Sequence, residues 1–410
     1  MEKTARIVML LMWLPVMAQQ STAQQTATPD LPAALRFAFD VADVVPYSMR
    51  STNTQRIYLN GYAVRDAEII TRVQIQPDGM VEDRGRYQAT FFLTESTRRR
   101  GQPVGVEDRY ESEYLRAPDG SLEIGDQYLM PVARNLPLFP DRVLEPGDTW
   151  TAPANEVHDL QEGYDIRRPL RFSFDVAYRY TGPARWRDQP VYRIEASYTI
   201  FHREQRDALL YPERVSGESQ QTLYWDPERG RLAGSEEQYW IEFRLNDGRT
   251  ITYEGQAVTV VEDARPLDRN TVVDTLQRLL DEAGIENTRV TSEDDGVILV
   301  LEDIGFPPDS ASILPAEQER LEVIGSILAR FPQNDLLITG HTALAGTEAG
   351  RRALSVARAR AVGEFLLERE VRRAEQILFR GFGATRPIAD NGTEAGRRRN
   401  RRVEIMVLDN

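Results

Sequence analysis

The chain has 410 residues, of which 41% are hydrophobic and 28% charged. That is a globular composition with room for two or three domains. There is no cysteine, the histidines are His158, His202 and His341, and Lys3 is the single lysine. This excludes a disulfide scaffold, a thiolate zinc site, a Cys nucleophile and lysine chemistry beyond residue 3. Neither a cofactor nor a metal is expected. A net charge of −14 removes any global attraction for nucleic acid, so no nucleic-acid partner is expected.

Residues 1–18 have the order of a secretory signal: Lys3 and Arg6, the apolar run Ile7 to Ala18, then small residues that extend the candidate cleavage window to 23. The run is shorter than the ~20 residues of a membrane span. With no cysteine at the cleavage site, a lipoprotein anchor is excluded. Residues 19–32 read as a flexible lead-in.

Residues 33–262 read as β-structure. Leu170 to Tyr180, Tyr192 to Ile200 and Tyr239 to Leu245 alternate apolar and polar side chains, the period of a strand with one wet face. Asp247-Gly248 marks a hairpin, and Trp225 to Gly230 a further turn. Residues 95–165 are less regular, and a break between two subdomains is read near 150. Two architectures are weighed for this region: a water-soluble β-domain, which the charge density favours, and an outer-membrane β-barrel.

At Asp263 the pattern changes. Helical spacing begins after a candidate N-cap at Asn270 and ends at Gly284. Strands at 297–301, 336–340, 377–382 and 402–408 then alternate with helices at 315–331 and 348–369, which predicts an α/β layer with partly parallel pairing. In the long helix Leu354, Ala357, Ala361, Val362 and Phe365 share a face, with Arg358 among them. A guanidinium there needs a partner. It is either an internal carboxylate or the carboxylate of a ligand.

Several spaced motifs carry a resemblance. They are Phe306-Pro307-Pro308-Asp309-Ser310-Ala311, Ile338-Thr339-Gly340-His341-Thr342, Gly346, Leu354-Ser355-x-x-Arg358-Ala359-x-x-Val362, Gly381-Phe382-Gly383, Pro387, Asn391, Gly396-Arg397, and Asn400-Arg401-Arg402-Val403-Glu404-Ile405. In this order they resemble the OmpA-like C-terminal, peptidoglycan-associating family over residues 297–410. The resemblance implies a βαβαβ sandwich, so the chain is multidomain: an N-terminal all-β region, then an α/β unit at 264–410 with an extra N-terminal helix. It also implies non-covalent binding of the peptidoglycan stem peptide, with Arg358, Thr342, Arg351, Asn400 and Arg401 as ligand-binding residues. The family's Asp after Gly-His-Thr is replaced by Ala343, a combination similar to a spirochaete-type variant. Losing that carboxylate while gaining Arg351 favours a carboxylate ligand over a zwitterion, and leaves diaminopimelate specificity open.

His341 reads as a hydrogen-bonded structural residue. The run Arg397 to Arg402 reads as a short helix entering the last strand, and Glu236-Glu237 and Asp294-Asp295 as solvated faces. The resulting expectation is a non-enzymatic envelope protein of the periplasm, associated with the outer membrane. Its C-terminal module would dock to peptidoglycan, and its β-region would contact an outer-membrane or periplasmic protein. Two alternatives stand beside it: an outer-membrane barrel with a periplasmic wall anchor, and an OmpA-like domain that has lost wall binding and serves as a protein-interaction module.

Overall fold

The computed structural model describes residues 32–96, 104–161, 166–264, 267–293, 296–302, 304–307 and 309–409. The expected signal segment and Asp294-Asp295 lie outside the described residues. The chain divides into two compact units, Met1–Leu93 with Asp108–Asp263, and Thr94–Glu107 with Ala264–Asn410.

The first unit is antiparallel. Its principal strands are β1 (Tyr47–Leu59), β2 (Tyr62–Val81), β3 (Arg84–Ser96), β4 (Val104–Arg116), β7 (Thr149–Leu160), β8 (Ile166–Trp186), β9 (Gln189–Arg203), β10 (Pro212–Asp226), β11 (Arg231–Leu245) and β12 (Thr250–Asp263), with short β5 (Leu122–Ile124) and β6 (Ala133–Arg134) between β4 and β7. Pairing runs β7–β8–β9–β10–β11–β12–β1–β2 without a gap. Residue 150, near which a break is read, lies at the start of β7, which pairs along most of its length with β8. The β1–β2 hairpin turns on Asn60-Gly61, both at positive φ (50° and 81°), as a two-residue type I′ turn requires.

Period two decides which face is buried. On β8, Leu170, Phe172, Val176, Tyr178 and Tyr180 point into the core, while Ser173, Asp175, Ala177 and Arg179 are exposed. Neighbouring β9 repeats this with Ile194, Ala196, Tyr198 and Ile200 inside and Ser197 and Thr199 outside. Tyr239, Ile241, Phe243 and Leu245 of β11 are buried as their alternation predicts, but so is Glu237, two residues before them. The reading of Glu236-Glu237 as a solvated pair is corrected for Glu237: on a strand, adjacent residues face opposite sides.

The second unit contains α1 (Arg269–Glu282), β13 (Thr288–Glu293), β14 (Gly296–Glu302), α2 (Pro315–Leu328), β15 (Leu336–His341), α3 (Glu348–Glu368), β16 (Ile377–Gly383), α4 (Glu394–Asn400) and β17 (Arg402–Leu408). The strands lie in the order β13–β14–β17–β15–β16, and of these pairs β15–β16 is parallel. This is the mixed α/β layer expected, with β13 as an addition. The N-cap of α1 is Asp268, not Asn270: its carboxylate accepts from the Thr271 backbone N–H at 3.2 Å. The core joins Leu276 and Leu280 of α1, Leu321 and Ile324 of α2 and Val362 and Leu366 of α3 to Val297, Ile338, Ile377 and Ile405 of the sheet.

Candidate functional site

The site is built where β15 ends and α3 begins. Gly340 lies against α3 so closely that a Cβ there would fall 2.1 Å from the Ser355 carbonyl oxygen. The strand therefore delivers His341 and Thr342 directly beside Ser355. On a helix, Arg351 and Arg358 are two turns apart and flank Ser355 on the same face. Thr342 thus follows a strand end that packs on the helix carrying both arginines.

The buried stripe of α3 is Ser355, Arg358, Ala359, Val362, Phe365 and Leu366. Ala357, placed on this face by the sequence pattern, is exposed. Arg358 is only 8% exposed. Its Nε donates to the Ser310 carbonyl at 2.9 Å and its Nη2 to the Pro307 carbonyl at 3.3 Å, while its guanidinium lies 4.9 Å over the Phe306 ring. Among the described residues no carboxylate forms an ion pair with Arg358, so the internal salt bridge weighed from the sequence is not formed. Burial lowers its pKa, and the nearby charge of Arg401 adds to this, against an opposing effect of Asp309. All of these mark a cation short of negative charge.

Thr342 is anchored by its backbone N–H to the Gly383 carbonyl at 2.8 Å, and its buried hydroxyl has no hydrogen-bond partner among the described residues. Ala343 is buried beside it. Arg351 donates from Nη1 to the Gly346 carbonyl at 2.6 Å and clasps the loop. Arg401 pairs with Glu394 at 3.0 Å, which leaves it about one-third exposed.

Asn400 has a different place from the ligand-contacting one expected. It is fully buried and its amide is occupied. Oδ1 accepts from the Ile388 and Ala389 backbone N–H groups, and Nδ2 donates to the Ala389 carbonyl and to Asn391 Oδ1. Asn391 Oδ1 in turn accepts from the Leu344 N–H at 3.1 Å. Asn400 therefore shapes the loop that carries Ala343. The sequence reading missed Asn391 as its relay and the Pro307 and Ser310 carbonyls as holders of Arg358.

His341 is buried, 5.4 Å from and stacked on Phe382, with Nε2 3.3 Å from Glu404. Burial lowers its pKa against the pull of Glu404, so the ring is neutral near pH 7. It is oriented as part of the scaffold.

Residues 305–401 match the OmpA family, and this C-terminal segment is an OmpA-family domain. The chain is 39% identical over 104 residues to the peptidoglycan-binding protein ArfA of Mycobacterium tuberculosis, covering 25% of this chain and 32% of that one. It is 35% identical over 111 residues to outer membrane porin F of Pseudomonas fluorescens, covering 27% and 34%. The chain thus spans about a third of the length of these curated relatives. Among solved structures, the cell wall anchor of the T6SS from Pseudomonas aeruginosa is 31% identical and aligns with 33% of this chain and 97% of its own, at a TM-score of 0.29.

Proposed function

We propose that the C-terminal unit docks this protein non-covalently to peptidoglycan in the cell envelope, by receiving a stem-peptide carboxylate at Arg358. One observation carries this reading: the guanidinium is held by two carbonyls and a ring, none of which neutralises it. A buried charge without a counter-ion is costly, and a planar, bidentate carboxylate suits the remaining donor edge. Thr342 supplies an unpaired hydroxyl nearby, and Arg351 and Arg401 add positive potential. Asn400 acts through the Ala343 loop. ArfA, the relative above, is named for peptidoglycan binding, which agrees with this assignment.

The β unit fits a water-facing module of the periplasm, associated with the outer membrane through a protein partner. A membrane barrel shows lipid an apolar outer face, whereas here most of the alternating apolar residues point inward and most of the exposed ones are polar, Ala177 and Phe201 being exceptions. Ala343 favours a second reading, a domain that has exchanged wall binding for protein binding, because it removes the carboxylate that would meet a ligand ammonium.

Sedimentation of the purified full chain with isolated sacculi, followed by titration with soluble stem peptides, tests the proposal. Saturable binding that is lost on amidating the peptide carboxylates supports it. Absence of binding to both materials overturns it.

A further inference from the structure

The β unit contains a polar layer that wall docking does not use. Its apolar core is split into two clusters, one around Ile194, Trp225 and Phe243, the other around Val73, Phe91 and Met130. Inward-facing polar side chains join neither. In register across the sheet, Gln221, Glu237, Ala257 and Asn53 lie abreast. Glu237 Oε1 collects hydrogen bonds from Ser219, from Gln221 at 2.7 Å and from Tyr198 at 3.4 Å. Glu156 of β7 is close enough for its charge to bear on both Glu237 and Tyr198.

Two atoms in this layer are unsatisfied. Glu156 and His158 are each 1% exposed and are joined at 2.8 Å through Oε2 and Nε2. Glu156 Oε1 and His158 Nδ1 have no hydrogen-bond partner among the described residues. Buried polar atoms are almost always paired, and one left open calls for an explanation. With Nε2–H donating to Glu156, His158 Nδ1 carries a lone pair. Both open positions are then acceptors, and the charge of Glu156 reaches Glu237. Such a set asks for a donor-rich cation. It does not suit a metal ion, since no group of three potential ligands is assembled among the described residues. Next to it, Phe174 and Tyr198 stack at 4.4 Å, and Phe174 is only partly buried although it faces inward.

We propose that this layer binds a small molecule with a primary ammonium group on an apolar body, the ammonium set against the open Glu156 and His158 acceptors within electrostatic reach of Glu237, and the body against the Phe174–Tyr198 rings. An ammonium offers three N–H donors to these acceptors, and its charge offsets two carboxylates that cannot both ionise alone at close range. The site is independent of the wall-docking reading.

Calorimetric titration of the full chain at pH 7 with hexylammonium chloride, and with hexanol as the neutral control, tests the proposal. Saturable binding of hexylammonium at least tenfold tighter than hexanol is expected. Heats compared in two buffers of different ionisation enthalpy should show proton release, because the empty layer holds a proton on Glu237 that the ammonium displaces. Glu156→Gln and Glu237→Gln keep shape and hydrogen bonding and should each weaken binding at least tenfold, with circular dichroism verifying the fold. No saturable heat, hexanol binding as tightly, no proton release, or full affinity in a folded variant would each overturn the proposal. If either variant fails to fold, the hexanol comparison and proton count on the native chain decide it.

Discussion

Arg358 and Ser310 are joined by a hydrogen bond of 2.9 Å from the guanidinium Nε to the backbone carbonyl, across 48 residues of chain. The helix whose cation is proposed to receive a ligand thereby also ties down the segment ahead of α2. In the proposed docking, recognition and local order share one side chain, and mutation of Arg358 should register in both.

Arg358→Ala removes the proposed charge-assisted bond to the ligand carboxylate, worth roughly 1.5–3 kcal/mol. At ~1.4 kcal/mol per decade, stem-peptide affinity should fall about tenfold to a hundredfold. The lost carbonyl contacts should also lower the melting temperature of the C-terminal unit. Titration and thermal unfolding of the same sample check both. Unchanged affinity with lost stability would assign Arg358 to the scaffold alone.

Ala343→Asp restores a carboxylate at a buried loop position between the end of β15 and Arg351. The variant should gain preference for stem peptides whose diamino acid keeps a free ammonium. The measurement is the ratio of affinities for a diaminopimelate peptide and its N-acetylated form, in native and variant protein. A ratio that does not move would show that position 343 does not face the ligand.

Much of the second unit was legible because its elements follow simple periods and its motifs are local. Gly340, His341 and Thr342 mark a strand end, and Arg358 stands out as a charge on an apolar stripe. The loop-holding contacts of Asn400 were not legible, because its occupied amide depends on Ile388, Ala389 and Asn391, contacts that no spacing reveals. The partners of Arg358 escaped for a related reason. Backbone carbonyls carry no sequence signature, so a search for an internal carboxylate could not find Pro307 and Ser310. In the β unit, alternation identified the buried face of β8, β9 and β11. Glu237 was grouped with Glu236 by sequence adjacency, although period two sends the two side chains to opposite faces.

Gly340→Ala should destabilise the second unit. The added methyl would meet the Ser355 carbonyl at 2.1 Å, and backbone cannot rotate away as a side-chain tip would. Gly381 is similarly tight against Ser355 Oγ at 2.4 Å, so β15 and β16 are both pressed onto α3 and neither yields easily. Overpacking of this kind typically costs about 1–3 kcal/mol. Chemical denaturation of the variant should show an earlier midpoint for the C-terminal transition. An unchanged midpoint would mean that α3 shifts freely against the sheet.

The last prediction concerns pH and the β unit. Burial pushes the Glu237 carboxyl up to about 8; the hydrogen bonds from Ser219 and Gln221 oppose this, the charge of Glu156 adds to it, and the Tyr198 bond again opposes it. Glu156 and His158 from β7, Tyr198 from β9, and Ser219 and Gln221 from β10 face this region, and no arginine or lysine is among them. The folded state thus keeps a proton that the unfolded chain releases near its ordinary value of 4.5. Between those two values folding binds a proton, so stability falls as pH rises, with an ideal slope of about 1.4 kcal/mol per pH unit. The contribution is fully present below pH 4.5 and is lost by the time pH passes 8. Unfolding of the β unit, followed by tryptophan fluorescence in denaturant from pH 5 to 9, should show this decline. Glu237→Gln carries no titratable proton and keeps a hydrogen-bonding amide in place, so the variant should lose that part of the slope and exceed the native protein in stability at pH 8. Equal slopes in the two proteins would mean that Glu237 is ionised throughout, with its charge met by a group other than those named.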